Sequence, residues 1–266
     1  MKKIVKILLI IILLLAAAVL CFFAYLGYVP GLSSVFGADK ARDLGIKYTQ
    51  ADLASARAKS QIVYEALPAG TLDSQSLQRS GSRPVDAVFT SVEASALMND
   101  RPFKYWPYED VQVKFNADGS AEVSGKLVKS RLPGYCAAIG LPKEVAQAAV
   151  KFLPPDPVFY LKGKAALTEN TLSIFEPQAL EVGRLPVSLG MVLSSLDFNL
   201  ADEVYAAPAE SLSSELSKTS NKKAWIINYI NQRIASIKGF YAKEAKFGDN
   251  QFIFNGNLSQ TESTAR

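Results

Sequence analysis

The sequence contains no histidine and only two cysteines among its 266 residues, and these scarcities exclude several kinds of chemistry. Without histidine the chain lacks the commonest general base, the usual zinc ligand and the side chain that titrates near neutral pH. Cys21 lies in an apolar run, so a domain that follows this run contains only Cys136 and forms no internal disulfide. The sequence therefore predicts a domain without metal or other cofactor, which packing alone stabilises.

The thiol of Cys136 leaves two interpretations open. It is either a reactive nucleophile or a small, buried, apolar side chain. Because the sequence offers no histidine to activate a thiol, the buried interpretation is favoured.

The sequence also lacks the short motifs that identify common enzyme classes. It has no G-x-x-x-x-G-K-[ST], no G-x-G-x-x-G after a strand and no G-x-S-x-G. Adjacent carboxylates occur at Glu109 and Asp110 and again at Asp202 and Glu203, but neighbours in a strand point to opposite faces. These pairs are interpreted as solvated loop charge, and the chain is predicted not to be an enzyme.

The longest apolar run, at residues 7–29, contains no charged residue. It has about 23 positions, whereas a helix needs about 20 to cross the hydrocarbon core of a bilayer. Lys2, Lys3 and Lys6 precede it and Lys40 is the next basic residue, which predicts a cytoplasmic tail at 1–6 and an extracytoplasmic location for the rest. The run is therefore predicted to be a single-pass transmembrane helix in the cell membrane. A cleaved signal peptide is the alternative, although its apolar region is normally about 7 to 15 residues long.

The net charge of +4 has a simple origin in this interpretation. The three lysines before the apolar run supply most of it, so the remainder of the chain is nearly neutral. Basic residues are interspersed with acidic ones, and no basic run with interleaved aromatic residues occurs. The sequence therefore predicts no binding of nucleic acid.

Residues 30–84 are predicted to be a juxtamembrane connector that contains one helix and one flexible loop. Thr49 followed by Asp52 is a helix-capping pattern, which predicts a helix near 50–64. Residues 68–84 contain Gly70, Gly81 and several serines without periodicity, which is typical of a mobile loop.

Residues 85–258 are predicted to be an extracytoplasmic α+β domain. Val111, Val113 and Phe115 alternate with polar residues, and a turn at 116–119 leads to a second alternating segment, so this region is predicted to be a hairpin. A second hairpin is predicted at 159–175, a further strand at 179–182 and a closing hairpin at 240–258. Helices are predicted from the capping box at Thr90 and Glu93, at 142–152 and at 222–237, and an apolar helix or loop at 187–194.

The fold class that follows is α+β. It consists of an N-terminal transmembrane helix followed by a mostly antiparallel sheet of hairpins covered by amphipathic helices. The last eight residues, 259–266, are predicted to be a frayed tail.

Two groups of aromatic residues are candidate ligand or interface residues. One lies in a proline-flanked loop and the other in the late helix: Phe103, Tyr105, Trp106 and Tyr108, and then Trp225 and Tyr229. The loop rings would line a cavity for an acyl chain or glycan, face a membrane interface, or hold the loop against the core. Trp225 and Tyr229 flank a stripe of isoleucines, which favours packing over binding.

Several short segments together resemble those of uncharacterised, membrane-anchored extracytoplasmic bacterial proteins. More remotely, the pattern is similar to that of phospholipid-binding envelope domains. After the basic start and the apolar run, the resemblance rests on the segments 43–49, 89–97, 116–127, 180–186 and 247–250. It implies an envelope location and lipid binding, and it carries no catalytic residue.

The predicted function is a membrane-tethered, non-enzymatic domain that binds lipid or another apolar ligand at the cell envelope. An interaction or scaffold module in envelope assembly is the alternative, with an envelope protein as partner. An envelope hydrolase that uses a serine or a carboxylate is a distant third hypothesis.

Overall fold

The computed structural model describes residues 2–141, 147, 150–151, 153–187 and 222–266. In these ranges the helices are α1 (Lys2–Tyr25), α2 (Leu32–Val35), α3 (Gln50–Ser60), α4 (Ser91–Asn99), α5 (Leu132–Ala138) and α6 (Lys222–Ala235). The strands are β1 (Val63–Ala66), β2 (Leu77–Ser80), β3 (Arg83–Thr90), β4 (Tyr108–Phe115), β5 (Ala121–Leu127), β6 (Val158–Thr168), β7 (Thr171–Val182), β8 (Leu185–Pro186), β9 (Tyr241–Gly248), β10 (Gln251–Leu258) and β11 (Thr261–Thr264).

The larger sheet is antiparallel and curled. Its main path runs β3-β10-β9-β6-β5-β4, and β7 pairs with β6 and with β8. One edge of β6 is shared, because its residues 158–163 pair with β5 and its residues 166–168 pair with β9. This sharing bends the sheet around its inner face. The combination of this antiparallel sheet with helices confirms the α+β class predicted from the sequence.

The three predicted hairpins are present as β4–β5, β6–β7 and β9–β10. The separate strand predicted at 179–182 is wrong. These residues are the end of β7, because register shifts after Lys162 and Ala166 let the pairing of β6 and β7 continue as far as Phe159 and Val182. A bulge of this kind bends the strand without ending it.

Both predicted capping boxes are confirmed. Thr49 accepts from the amide of Asp52 at the start of α3, and Thr90 accepts from the amide of Glu93 at the start of α4. Helix α3 ends at Ser60, earlier than predicted, because Gln61 adopts a left-handed conformation with φ 53° and β1 follows.

Helix α4 covers the free edge of β4 through side chains spaced four residues apart. Four helical residues advance about 6 Å and two strand residues advance about 6.6 Å, so the two repeats stay nearly in register. The β4 amides of Phe115, Val113 and Val111 donate to side-chain oxygens of Ser91, Ser95 and Asn99 at 2.9, 2.8 and 2.9 Å. The helix thereby satisfies edge donors that a sheet edge normally leaves open.

A smaller three-stranded sheet has the order β1-β11-β2, with β1 parallel and β2 antiparallel to β11. It corrects two expectations. Residues 68–84, predicted to be a mobile loop, contain a 3-10 turn at Asp73–Gln75, strand β2 and the start of β3. Residues 259–266, predicted to be frayed, contain the central strand β11, where Thr264 is 1% exposed. Pairing on both edges orders this segment, although its sequence is polar.

The transmembrane helix predicted at 7–29 is wrong. Among the described residues, no helix has the length and apolar character that a membrane crossing requires. Helix α1 begins among the lysines at Lys2 and ends at Tyr25, and Leu26 and Gly27 form a turn in which Gly27 has φ 96°. The apolar run therefore does not form one helix over its whole length, and Ala24 and Leu26 are buried.

The late helix predicted at 222–237 is confirmed as α6, which ends at Ala235. The helix predicted at 142–152 and the segment predicted at 187–194 fall mostly outside the described residues.

Two clusters of buried apolar residues form the core of the larger sheet. One centres on β3, β9 and β10 and includes Phe89 and Phe254. The other centres on β4, β5 and β6 and includes Val111 and Phe159. Phe252 packs against both clusters, so the inner face of the curled sheet is continuous.

Candidate functional site

An apolar cavity of about 610 Å³ lies inside the curl of the larger sheet. This volume is within the range of about 300–1,000 Å³ that is typical of ligand sites. Of the described residues that line it, three carry a polar group, namely Ser60, Tyr64 and Arg101. The apolar lining residues are Ile62, Phe89, Ala94, Leu97, Met98, Val113, Phe115, Val123, Ala165, Ala166, Leu167, Leu172, Phe240, Ala245, Phe247, Phe252, Phe254 and Leu258.

Phenylalanine rings form much of the cavity wall. The rings of Phe115 and Phe247 are stacked with centroids 5.5 Å apart, and Phe252 lies 5.6 Å from Phe247 and 6.1 Å from Phe115. Phe89 and Phe254 extend this group along β3 and β10. These rings carry no hydrogen-bonding group, so the wall recognises shape and apolar surface.

Strand alternation explains how the sequence builds this wall. Phe252 and Phe254 are two residues apart on β10, and Val113 and Phe115 are two residues apart on β4, so each pair points to one face. Alanines line the cavity at Ala165, Ala166 and Ala245. We attribute the open volume to these small side chains, which leave space that larger apolar residues would fill.

Arg101 supplies the charged group of the lining. It follows α4, and its Nη1 donates to Oε1 of Glu262 on β11 at 2.8 Å. The guanidinium also lies over the ring of Trp106, with its Cζ 5.2 Å from the ring centroid. Within the described residues, the buried Nε–H of Arg101 has no hydrogen-bond acceptor.

Tyr64 lies beside Arg101 in the lining, with its ring centroid 5.9 Å from the Arg101 Cζ. Burial raises the pKa of the Tyr64 hydroxyl, and the neighbouring Arg101 charge offsets only part of this shift. Tyr64 is therefore a neutral hydroxyl at physiological pH. Ser60, the third polar residue, donates to the carbonyl oxygen of Arg57 at 3.3 Å.

The predicted aromatic loop forms a cluster that does not line this cavity. Phe103, Trp106 and Tyr108 surround the ring of Tyr135 on α5 at centroid distances of 6.5, 5.8 and 6.0 Å. The indole of Trp106 donates to the carbonyl oxygen of Met98 at 2.8 Å, and the Tyr105 hydroxyl donates to Asp73. These contacts hold the loop to α4, α5 and the turn before β2. Its use as a docking surface stays a prediction.

The two late aromatic candidates lie on α6. The side chain of Trp225 lies outside the described part of the structure. Tyr229 is partly buried, and burial raises the pKa of its hydroxyl, with smaller effects from Arg233 and Cys136. Neither Tyr229 nor the loop rings belong to the lining of the apolar cavity.

The carboxylates singled out in the sequence have separate partners. Glu109 pairs with Arg131 at 2.9 Å, and Asp110 pairs with Lys126 at 2.7 Å. Asp202 and Glu203 lie outside the described residues. In the ranges that the structure describes, no group of three or more cysteine, aspartate or glutamate residues is placed to hold a metal ion.

Cys136 is half-buried on α5, and burial raises the pKa of its thiol. A raised pKa reduces the fraction of thiolate at neutral pH and therefore the nucleophilicity of the group.

A second cavity, of about 850 Å³, lies where the end of α1 approaches β6, β7 and β8. Its charged residues include Arg42 and Glu181, which pair with each other at 2.9 Å. The Arg42 guanidinium also lies 3.7 Å above the Tyr160 ring. Lys40 and Arg184 also line this cavity, so its wall is much more polar than that of the apolar one.

Most of the cavity residues are not among the candidate residues predicted from the sequence. The alternating phenylalanines on β4 and β10 were the available signal, because two-residue spacing places them on one face. Arg101 gave no signal, since its role depends on Glu262, which lies in a segment predicted to be frayed. No family model, curated protein or solved structure matches the chain.

Proposed function

We propose that this protein binds an apolar ligand, an acyl chain, in the cavity inside the curled sheet. The observation that carries the proposal is the cavity of about 610 Å³, in whose described lining only Ser60, Tyr64 and Arg101 are polar. This proposal keeps the lipid-binding function expected from the sequence and moves its site from the aromatic loop to the sheet.

The energetics favour an acyl chain over a polar ligand. Burial of a methylene group contributes about 0.8 kcal/mol, so a chain that fills the cavity gains affinity along its whole length. The phenylalanine wall offers a polar ligand no hydrogen bond in exchange for its lost hydration. Helix α4 contacts β4 through side chains and is not part of the sheet. It therefore covers the cavity as a separate element.

The test is fluorescence titration of the purified chain with N-phenyl-1-naphthylamine, a neutral apolar probe. We expect saturable binding and displacement by hexadecanol. Two substitutions, Ala165→Phe on β6 and Ala94→Phe on α4, fill the cavity from different sides and should weaken binding by about tenfold or more. Lipid that co-purifies with the chain should also decrease in these variants, as measured by mass spectrometry.

Val88→Phe is the matched control. Val88 lies on β3 beside the lining residue Phe89, but its side chain is 40% exposed and does not line the cavity. This variant should bind the probe as the parent chain does. Binding that is unsaturable, or that survives in both folded cavity-filling variants, would contradict the proposal.

A further inference from the structure

The apolar cavity contains one feature that an acyl chain alone does not explain. Arg101 is largely buried and lines a wall that is otherwise almost entirely apolar. A guanidinium in such surroundings loses hydration, and its position is favourable only when its charge and its N–H groups have partners.

Among the described residues, the ion pairs around Arg101 leave one positive charge uncompensated. Glu262 accepts from Arg101 at 2.8 Å through Oε1 and from Arg79 at 3.1 Å through Oε2. Two guanidinium groups thus share one carboxylate, and the group of three carries a net charge of +1. Asp100, the acidic neighbour of Arg101 in sequence, pairs instead with Arg57.

The hydrogen bonds of Arg101 are also incomplete. Its Nη1 is used by Glu262, whereas its Nε–H is buried and finds no acceptor among the described residues. The Nε–H has almost no accessible surface, so a ligand oxygen would bind the part of the guanidinium that lines the cavity and would balance its charge there. The neutral hydroxyl of Tyr64 lies on the same part of the wall and adds a polar neighbour.

From these observations we infer that the ligand is a single-chain amphiphile with one anionic head group, whose oxygen atoms are bound by Arg101 while the chain lies against the phenylalanine wall. A long-chain carboxylate is the simplest such ligand, and a phosphate monoester presents the same anionic oxygens. The inference rests on the proposed function, because it assigns the head group of the ligand that the cavity holds.

The experiment compares two probes that differ only in head group, cis-parinaric acid and its methyl ester. Both are titrated into the full chain, and binding is followed by their fluorescence. We expect the acid to bind about tenfold tighter than the ester, because only the carboxylate forms an ion pair with the guanidinium, whereas the ester carbonyl accepts a weaker hydrogen bond. Increasing salt should weaken binding of the acid and leave the ester unchanged.

Arg101→Gln should reduce the affinity for the acid about tenfold and leave that for the ester unchanged, which also reports that the cavity is intact. Arg101→Lys keeps the charge but lacks the planar donor group, so it should recover part of the lost affinity. Arg83→Gln is the matched control, because Arg83 donates to Gln61, lies outside the group of three charges and does not line the cavity. It should preserve the preference for the acid.

The outcomes separate the two proposals. If neither probe binds, the proposed function is wrong. If both bind equally well to the parent chain, or if folded Arg101→Gln keeps the preference for the acid, the cavity binds ligand but the assignment of the head group is wrong. If the acid is preferred, hexadecyl phosphate and palmitate are used as competitors to identify which anion Arg101 binds better. Displacement of cis-parinaric acid by either competitor from the parent chain, and weaker displacement from Arg101→Gln, supports the inference.

Discussion

The Arg101 guanidinium and the Glu262 carboxylate lie 2.8 Å apart although 161 residues separate them in the chain. Glu262 is 5% exposed and belongs to β11, the central strand of the smaller sheet. The pair therefore connects the lining of the apolar cavity to a strand that contributes no residue to that lining.

We predict that Glu262→Gln destabilises the fold. The substitution removes the carboxylate charge that Arg79 and Arg101 share, and the side chains of these arginines are partly buried, at 31% and 24% exposed. Because part of each group still reaches solvent, we expect a loss of about 2 kcal/mol in the free energy of unfolding. Urea denaturation measures it. Glu65→Gln, at an exposed position of the adjacent strand β1, is the control and should change stability by less than about 0.5 kcal/mol. Equal effects of the two substitutions would contradict the prediction.

A second prediction concerns Glu93, which is 4% exposed and joins α4 to α3. Burial alone would raise the pKa of this carboxyl, but hydrogen bonds from Lys59, Ser55 and the Thr90 amide lower it below its usual value of 4.5. The unfolded chain therefore binds the proton more readily than the folded chain does. The stabilisation by ionised Glu93 is complete above the unfolded pKa and is lost as the pH falls through the lower folded pKa.

Glu93→Gln should consequently cost about 1–2 kcal/mol at pH 7 and less at pH 3, where the carboxyl of the unfolded chain has taken up its proton and part of the stabilisation is lost. Chemical denaturation at both pH values measures the difference. Glu244→Gln provides the comparison, because Glu244 pairs with Lys246 on the surface and both side chains are 47% exposed. Its effect should be small at both pH values. A cost of Glu93→Gln that is independent of pH would show that the charge does not matter.

A third prediction uses two glycines with nearly the same backbone conformation. Gly239 has φ 76° and Gly45 has φ 75°. A Cβ at Gly239 would lie 1.9 Å from the carbonyl oxygen of Gly81, whereas a Cβ at Gly45 would meet nothing within 4 Å. Gly45→Ala should therefore cost about 1 kcal/mol for the left-handed conformation alone. Gly239→Ala should cost about 3 kcal/mol or more, because backbone must also move. Thermal unfolding that ranks them in the opposite order would contradict the close approach.

A fourth prediction concerns the two thiols. Cys136 is partly buried, which raises the pKa of its thiol, whereas Cys21 is exposed. We choose pH 7.5, which is about one unit below the usual thiol pKa. At this pH, iodoacetamide should alkylate Cys136 about tenfold more slowly than Cys21. Peptide mass spectrometry separates the two sites, and urea should remove the difference. Faster modification of Cys136 in the folded chain would favour the nucleophile interpretation.

The local elements were largely predictable because their signals lie within a few neighbouring residues. The alternation at Val113 and Phe115 and the capping box at Thr90 and Glu93 each involve one turn or one strand. Such patterns depend on strand and helix geometry, which is the same in any fold.

The elements that were missed depend on distant partners. Strand β11 is polar, and it is ordered only because β1 and β2 pair with its two edges. In the sequence, the α4 side chains that contact β4 are indistinguishable from ordinary polar surface residues. Their four-residue spacing has meaning only beside a strand edge. Arg101 was missed for the same reason that β11 was missed. Its position depends on a distant partner, Glu262.

The parallel pairing of β1 with β11 bears on the order in which the molecule assembles. Glu65 and Ser263 are paired although 198 residues separate them, whereas the hairpins that line most of the cavity join neighbouring segments. Closing so long a loop has a large entropic cost before any contact compensates for it, so we expect this pairing to form late. The phenylalanine wall would then exist before Glu262 reaches Arg101, and the charged part of the cavity would be completed last.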